Sequence, residues 1–195
     1  MKKTAIIILF LFMIGVLIWL ISKPDSAPQK MPEMIRFNPA DVFSLILAHE
    51  GAETIFLRRS GDQWKLLKEC SEDKKMAFAQ AAAVQHLLDD LANMDVVRVV
   101  TRNPEYYEKL HVGSGSTQVL LKDKGDSVIT NLFVGKQGRD LISTYLRVDG
   151  MPEVLAVNKV LLWQVRRSYQ GWKAVDSAKT EGNTGNTVEV YSQAQ

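Results

Sequence analysis

An unbroken apolar run from Ala5 to Ile21, without one charged residue, constrains this chain more than any other feature. As a helix rising about 1.5 Å per residue, it would extend roughly 25 Å, near the lower limit for a bilayer core. Lys2 and Lys3 precede it, and Ser22 and Lys23 follow. A cleaved signal peptide has a shorter apolar core and a small-x-small site. Here Leu20 stands two positions before Ser22, and Asp25 two before Ala27, so neither site suits cleavage. The expectation is a retained signal anchor: residues 1–4 as a cytoplasmic stub and 5–22 as a transmembrane helix. The alternative is a cleaved peptide that releases a soluble secreted domain. Lys2 and Lys3 favour an inside N-terminus. The bulk of the chain is then extracytoplasmic, in a single-pass protein of the inner (cytoplasmic) membrane.

The sequence holds 24 basic and 22 acidic residues, so setting Lys2 and Lys3 aside leaves 22 of each. A neutral exported part argues against nucleic acid as a partner, because phosphate binding needs a basic surplus. Cys70 is the single cysteine, which excludes an intramolecular disulfide. It sits in the polar stretch Lys68-Glu69-Cys70-Ser71-Glu72 and reads as an incidental thiol.

Residues 23–34 carry Pro24, Pro28 and Pro32 and read as an extended linker. Residues 177–195, rich in Gly, Asn, Thr, Ser and Gln, read as a disordered tail. Between them lies an expected extracytoplasmic α+β domain, 35–176, with subdomains at 35–101 and 112–176. Asn38-Pro39-Ala40-Asp41 has the pattern of a capped helical turn. Alternating apolar residues then predict strands over 42–49, 53–59 and 63–68, separated by turns at Gly51 and Gly61. Val84, Leu87, Leu88 and Leu91 recur at helical spacing and predict a helix within 75–94. Strands are expected at 96–101, 118–122, 127–134, 143–148 and 153–157. A final helix is expected over 159–169, capped by Asn158 and stopped at Gly171. Strands followed by a helix, twice over, suggest a two-fold β-β-β-α type repeat of antiparallel sheets, each followed by a helix.

Several phrases occur in a telling order. They are Asn38-Pro39-Ala40-Asp41-Val42, Gly61-Asp62-Gln63-Trp64-Lys65-Leu66, Gly135-Lys136, Tyr145-Leu146-Arg147 and Glu153-Val154-Leu155-Ala156-Val157. The series resembles the bacterial family called domain of unknown function 4340, over roughly residues 35–176. The resemblance implies a membrane-anchored extracytoplasmic domain, in some members associated with ABC-type export systems, including those tied to gliding motility. It implies no activity and no catalytic residues. Where members often carry Tyr-Gly-Leu, this chain has Glu108-Lys109-Leu110-His111.

No residue set points to an enzyme. His49, His86 and His111 are not at metal-ligand spacing. Gly113-Ser114-Gly115-Ser116-Thr117 lacks the endings that make a phosphate loop. Asp89 and Asp90 point about 100° apart on a helix and read as a solvated face. Trp64, Trp163 and Trp172 read as core or boundary residues. Arg98, Arg102 and Arg147 would form a cationic strip if their strands were neighbours. The loop from Phe133 to Asp140 could touch a partner, although a plain hairpin loop is the simpler reading. No catalytic, metal or cofactor residue is expected, and no cofactor. The expected role is a non-enzymatic accessory or interaction module, its partners being the membrane and subunits of an ABC-type transporter. The alternative is a small-molecule or glycan binding protein.

Overall fold

The computed structural model describes residues 12–14, 16, 36–67 and 76–175. Among the described residues nine strands form: β1 (Ser44–Ala48), β2 (Ile55–Ser60), β3 (Gln63–Leu67), β4 (Ala77–Phe78), β5 (Val96–Thr101), β6 (Thr117–Lys122), β7 (Val128–Gln137), β8 (Thr144–Val148) and β9 (Val154–Val157). They make one antiparallel sheet in the order β4-β3-β2-β1-β6-β7-β8-β9-β5. The helices are short: α1 (Ala81–Ala92), α2 (Tyr107–Leu110), α3 (Leu162–Val165) and α4 (Tyr169–Trp172).

This corrects the α+β expectation. The domain is β-rich, and its sheet is continuous. The two halves expected as separate β-β-β-α units share a single core, because their strands interleave. β1 of the first half pairs with β6 of the second through Leu45↔Leu121 and Leu47↔Val119. β5 leaves the first half and pairs with β9, with Val96 opposite Val157. In the other direction, Ala174 donates its backbone N–H to the carbonyl of Phe78 at 2.7 Å, and Lys173 bridges Ala79. Each half thus places its last extended piece against the edge of the other.

Among the described residues no helix is long and apolar enough to cross a membrane. Of the 5–22 segment only Phe12–Ile14 and Val16 are described, as exposed helical residues. The rest of that segment, the linker, Cys70 and the tail lie outside the described residues.

Alternation explains which face of the sheet is buried. Leu45, Leu57, Leu66, Leu132 and Leu146 point to one face and are fully buried. The same face receives Val84, Leu87, Leu88 and Leu91 of α1, the residues at helical spacing. Burying side chains of this size stabilises by on the order of 1.5–3 kcal/mol each. Leu161, Val165 and Trp172 complete the same cluster.

The expected helix over 159–169 forms instead as two separate turns. The Thr144 hydroxyl donates to the carbonyl of Lys159 at 2.6 Å and accepts from Leu161 N–H at 3.1 Å, which keeps the chain out of a helix until Leu162. Ser168 then caps a new turn by accepting from Gly171 N–H at 3.3 Å, so Gly171 lies inside a helix rather than ending one. Asn158 caps nothing; its side chain accepts from Asp95 N–H at 2.8 Å and donates to the Asp95 carboxylate at 3.1 Å.

The second face is covered over β7, β8, β9 and β5 by the segment that includes α2. Val112, Tyr145, Val154 and Ala156 form a small second cluster there, joined by Tyr107, Leu110 and Phe133. Arg147 fastens this cover. Its guanidinium lies 4.2 Å from the Phe133 ring centre and 4.7 Å from that of Tyr107, and its Nε donates to the Val112 carbonyl at 3.0 Å. Gly135 of β7 faces the same cover; a Cβ there would collide with the Leu110 carbonyl oxygen and lie 2.7 Å from Val112 Cγ1.

Candidate functional site

A cleft opens where the chain enters the domain. It measures about 720 Å³ and lies between the segment before β1, the end of β2 and the β6–β7 turn. Asn38 shapes one wall: its side-chain oxygen accepts from Ala40 N–H at 3.1 Å and begins the 3-10 turn Pro39–Asp41 that its sequence announced. Arg59 reaches that wall by donating to the Ala40 carbonyl at 3.0 Å. Arg36 and Lys124 add exposed cations, while Phe37, Phe43 and Ile129 supply apolar surface. Asp41 and Asp123 also line the cleft, and the Oδ1 of Asp123 accepts from Ser127 N–H at 2.9 Å. An open, basic and partly aromatic cleft can hold an extended anionic segment; its lining offers no nucleophile paired with a base.

A smaller hollow of about 410 Å³ gathers His49, Glu50, Ser114, Gly115, Ser116 and Gln118. It brings the Gly113–Thr117 loop beside the first histidine. Ser116 donates its hydroxyl to the Gly113 carbonyl at 2.6 Å, closing the loop on itself rather than around a phosphate. Burial, and then the charge of Arg166, holds the His49 imidazole below its ordinary range. Arg166 in turn donates to the Thr117 hydroxyl at 3.0 Å.

A third polar group joins α1 to α3. Asp90 accepts from Lys159 Nζ at 2.8 Å and Gln164 Nε2 at 2.7 Å, and His86 lies 3.9 Å away. Burial pushes the Asp90 carboxyl up, but those two hydrogen bonds and the Lys159 and His86 charges prevail and hold it below the usual carboxylate range. Asp89 does not take part; it accepts from Gln85 Nε2 at 2.8 Å on the solvent side.

Both groups bind protons less readily folded than unfolded, and the sign of the pH effect follows. Their stabilisation is complete at neutral pH. It falls as pH drops below about 6.5 for His49 and below about 3.9 for Asp90, until each passes its own lower folded value. Urea denaturation across pH will show His49→Gln flattening the first part of this decline. Asp90→Asn will flatten the later part and lower stability at pH 7, because it loses the Lys159 ion pair.

The three arginines do not make a strip. Arg147 is stacked within the second face, Arg102 pairs with Glu153 at 3.2 Å, and Arg98 lies by Asp140. Trp64 and Trp172 are buried, whereas Trp163 is exposed. Among the described residues no group of three or more His, Cys, Asp or Glu is placed to hold a metal ion.

In the β7–β8 loop the stretch Phe133 to Asp140, marked by its sequence, is followed by Leu141 and Ile142, which are 69% and 70% exposed. Asp140 orders the loop, its Oδ1 accepting from the Ser143 hydroxyl at 2.8 Å and from the backbone N–H groups of Ser143 and Ile142 at 3.0 and 3.2 Å. The signal available was an apolar pair inside a polar loop between two strands.

The family model described as "Domain of unknown function (DUF4340)" matches residues 71–190. The chain belongs to this family. The match takes in β4 to β9 and every helix from α1 onward, but begins after β3. The phrases around Asn38 and Trp64 therefore lie outside it, whereas those at Gly135, Arg147 and Glu153 lie within. In this DUF4340 chain those inner phrases have structural work: Gly135 and Arg147 seat the cover of the second face. No curated protein and no solved structure matches the chain.

Proposed function

We propose that this DUF4340 chain is a non-enzymatic interaction module held at the inner membrane, with its sheet domain on the extracytoplasmic side. The apolar run Ala5–Ile21 supports the attachment, and Lys2 and Lys3 support the orientation. The observation that carries the role is the open cleft of about 720 Å³ at the start of the domain, with Arg36, Arg59 and Lys124 around Phe37 and Phe43. Its chemistry suits an extended acidic segment of a partner protein with an apolar residue to bury. The family resemblance points to a subunit of an ABC-type transport system as that partner.

The test is in-cell cross-linking of the tagged full-length protein, gentle solubilisation and mass spectrometry. Wild type should recover permease or ATPase subunits. The doubly substituted chain Arg36→Glu, Lys124→Glu, whose two positions are exposed, should fold normally and recover at least tenfold less. Equal recovery by both chains, or recovery of no transporter subunit, overturns the proposal. A cleft of this volume also lies within the range of small-molecule sites. A ligand that raises the melting temperature of wild type but not of the double variant would establish that second reading.

A further inference from the structure

The β7–β8 loop lies at the far end of β7 from the cleft. β7 has 10 residues, from Val128 to Gln137. At about 3.3 Å per residue, roughly 30 Å separates its two ends. The strand also changes direction near its tip: between Val134 and Gln137 it carries one residue more than β8 opposite, a bulge that re-aims the chain. Beyond the bulge the backbone turns through Leu141 at φ 63°. The left-handed region disfavours a leucine, whereas asparagine accepts it more readily. The loop is nonetheless well fixed. Asp140 accepts three hydrogen bonds within it, and Gln137 Nε2 donates to the Leu141 carbonyl. The result is a rigid tip that holds two large apolar side chains in water.

Cations surround the tip. Arg139 is exposed beside it, Lys136 is half-buried at the end of β7, and Arg98 of β5 is close enough to bear on Asp140. Val97, next to Arg98 on the edge strand β5, is 42% exposed. Asp140 is the acid within this group, and its carboxylate is committed to the loop.

From this arrangement we infer that Leu141 and Ile142 are a second protein-docking element, which inserts into an apolar pocket with an acidic rim on a partner protein. Two observations favour a protein over a bilayer. A lipid surface accepts a mobile apolar tip, whereas a shaped pocket gains from one whose backbone is already held in place. The tip also lies across the sheet from the end at which the chain enters the domain. The inference is independent of what the cleft binds, because the two sites share no residue.

The experiment places the photo-cross-linker p-benzoylphenylalanine at position 142 of the full-length chain in its own membranes. A second chain carries it at Ala82, which is exposed on α1 and belongs to neither site. The expected result is a discrete protein adduct from position 142 and none from 82, with the cross-linked partner peptide apolar and flanked by Asp or Glu. Adding Leu141→Asn should raise the melting temperature by about 3 °C, because it relieves the left-handed leucine, yet reduce the adduct at least tenfold. Adding Lys136→Glu and Arg139→Glu should reduce it similarly. The inference is overturned by adducts to lipid alone, by equal protein adducts from both positions, by an adduct that survives Leu141→Asn, or by no adduct once the benzophenone has been consumed.

Discussion

Gly135→Ala will destabilise the domain by about 3 kcal/mol, near the upper end of what a single added methyl does in a packed protein. The cause is what the methyl meets. Its neighbours would be the Leu110 carbonyl oxygen, Val112 Cγ1 at 2.7 Å and the Tyr145 carbonyl oxygen at 3.1 Å. Two of the three are backbone atoms, so no rotamer change clears the space. Either β7 moves away from β8, or the segment through α2 lifts off the second face. Urea denaturation measures the loss. Hydrogen exchange shows where it falls: the amides of Tyr107 to Val112 should lose protection before those of β1 and β6.

Arg147→Ala should cost a comparable amount, about 2–3 kcal/mol. The guanidinium is held against Phe133 and Tyr107, and such contacts contribute about 0.5–2 kcal/mol each as they become desolvated. The Nε hydrogen bond to the Val112 carbonyl adds about 1.5 kcal/mol or more, since the donor is charged. Arg147→Lys separates shape from charge. Lysine keeps the charge but cannot lie flat between two rings while donating sideways. It should therefore recover less than half of the loss. Full recovery would mean that charge alone holds the cover in place.

Local pattern revealed most of the strands and little of their partnership. β1, β2, β3 and β5 to β9 are legible because Leu45 and Leu47, or Val119 and Leu121, alternate with polar or half-buried neighbours. β4 was not legible. Ala77 and Phe78 stand among alanines and read as helix, and only pairing with Leu66 and Lys65 makes them a strand. The fold class was missed for the same reason: nothing near Leu45 in sequence says that Leu121 will lie beside it. The cleft escaped notice because its walls come from residues 36–43, Arg59 and residues 123–129, which no local window joins. Cross-strand stacking was hidden as well. Arg147 appeared as one member of a cationic series until its strand set it opposite Phe133.

The exchange of end pieces between the halves bears on how the chain reaches its native state. A chain emerging N-terminus first can form the β1–β4 meander early, but the outer edge of β4 waits for Lys173 and Ala174. β5, made early, waits for β9 before it has a neighbour. Neither half is a kinetic unit of its own, so folding should proceed as a single cooperative event once residue 174 is available. Pairings this distant in sequence belong to the slow end of the folding-rate scale, milliseconds to seconds. Until their partners are made the edges of β1, β4 and β5 stand open to other chains, and a chain shortened before Lys173 would keep that of β4 open permanently.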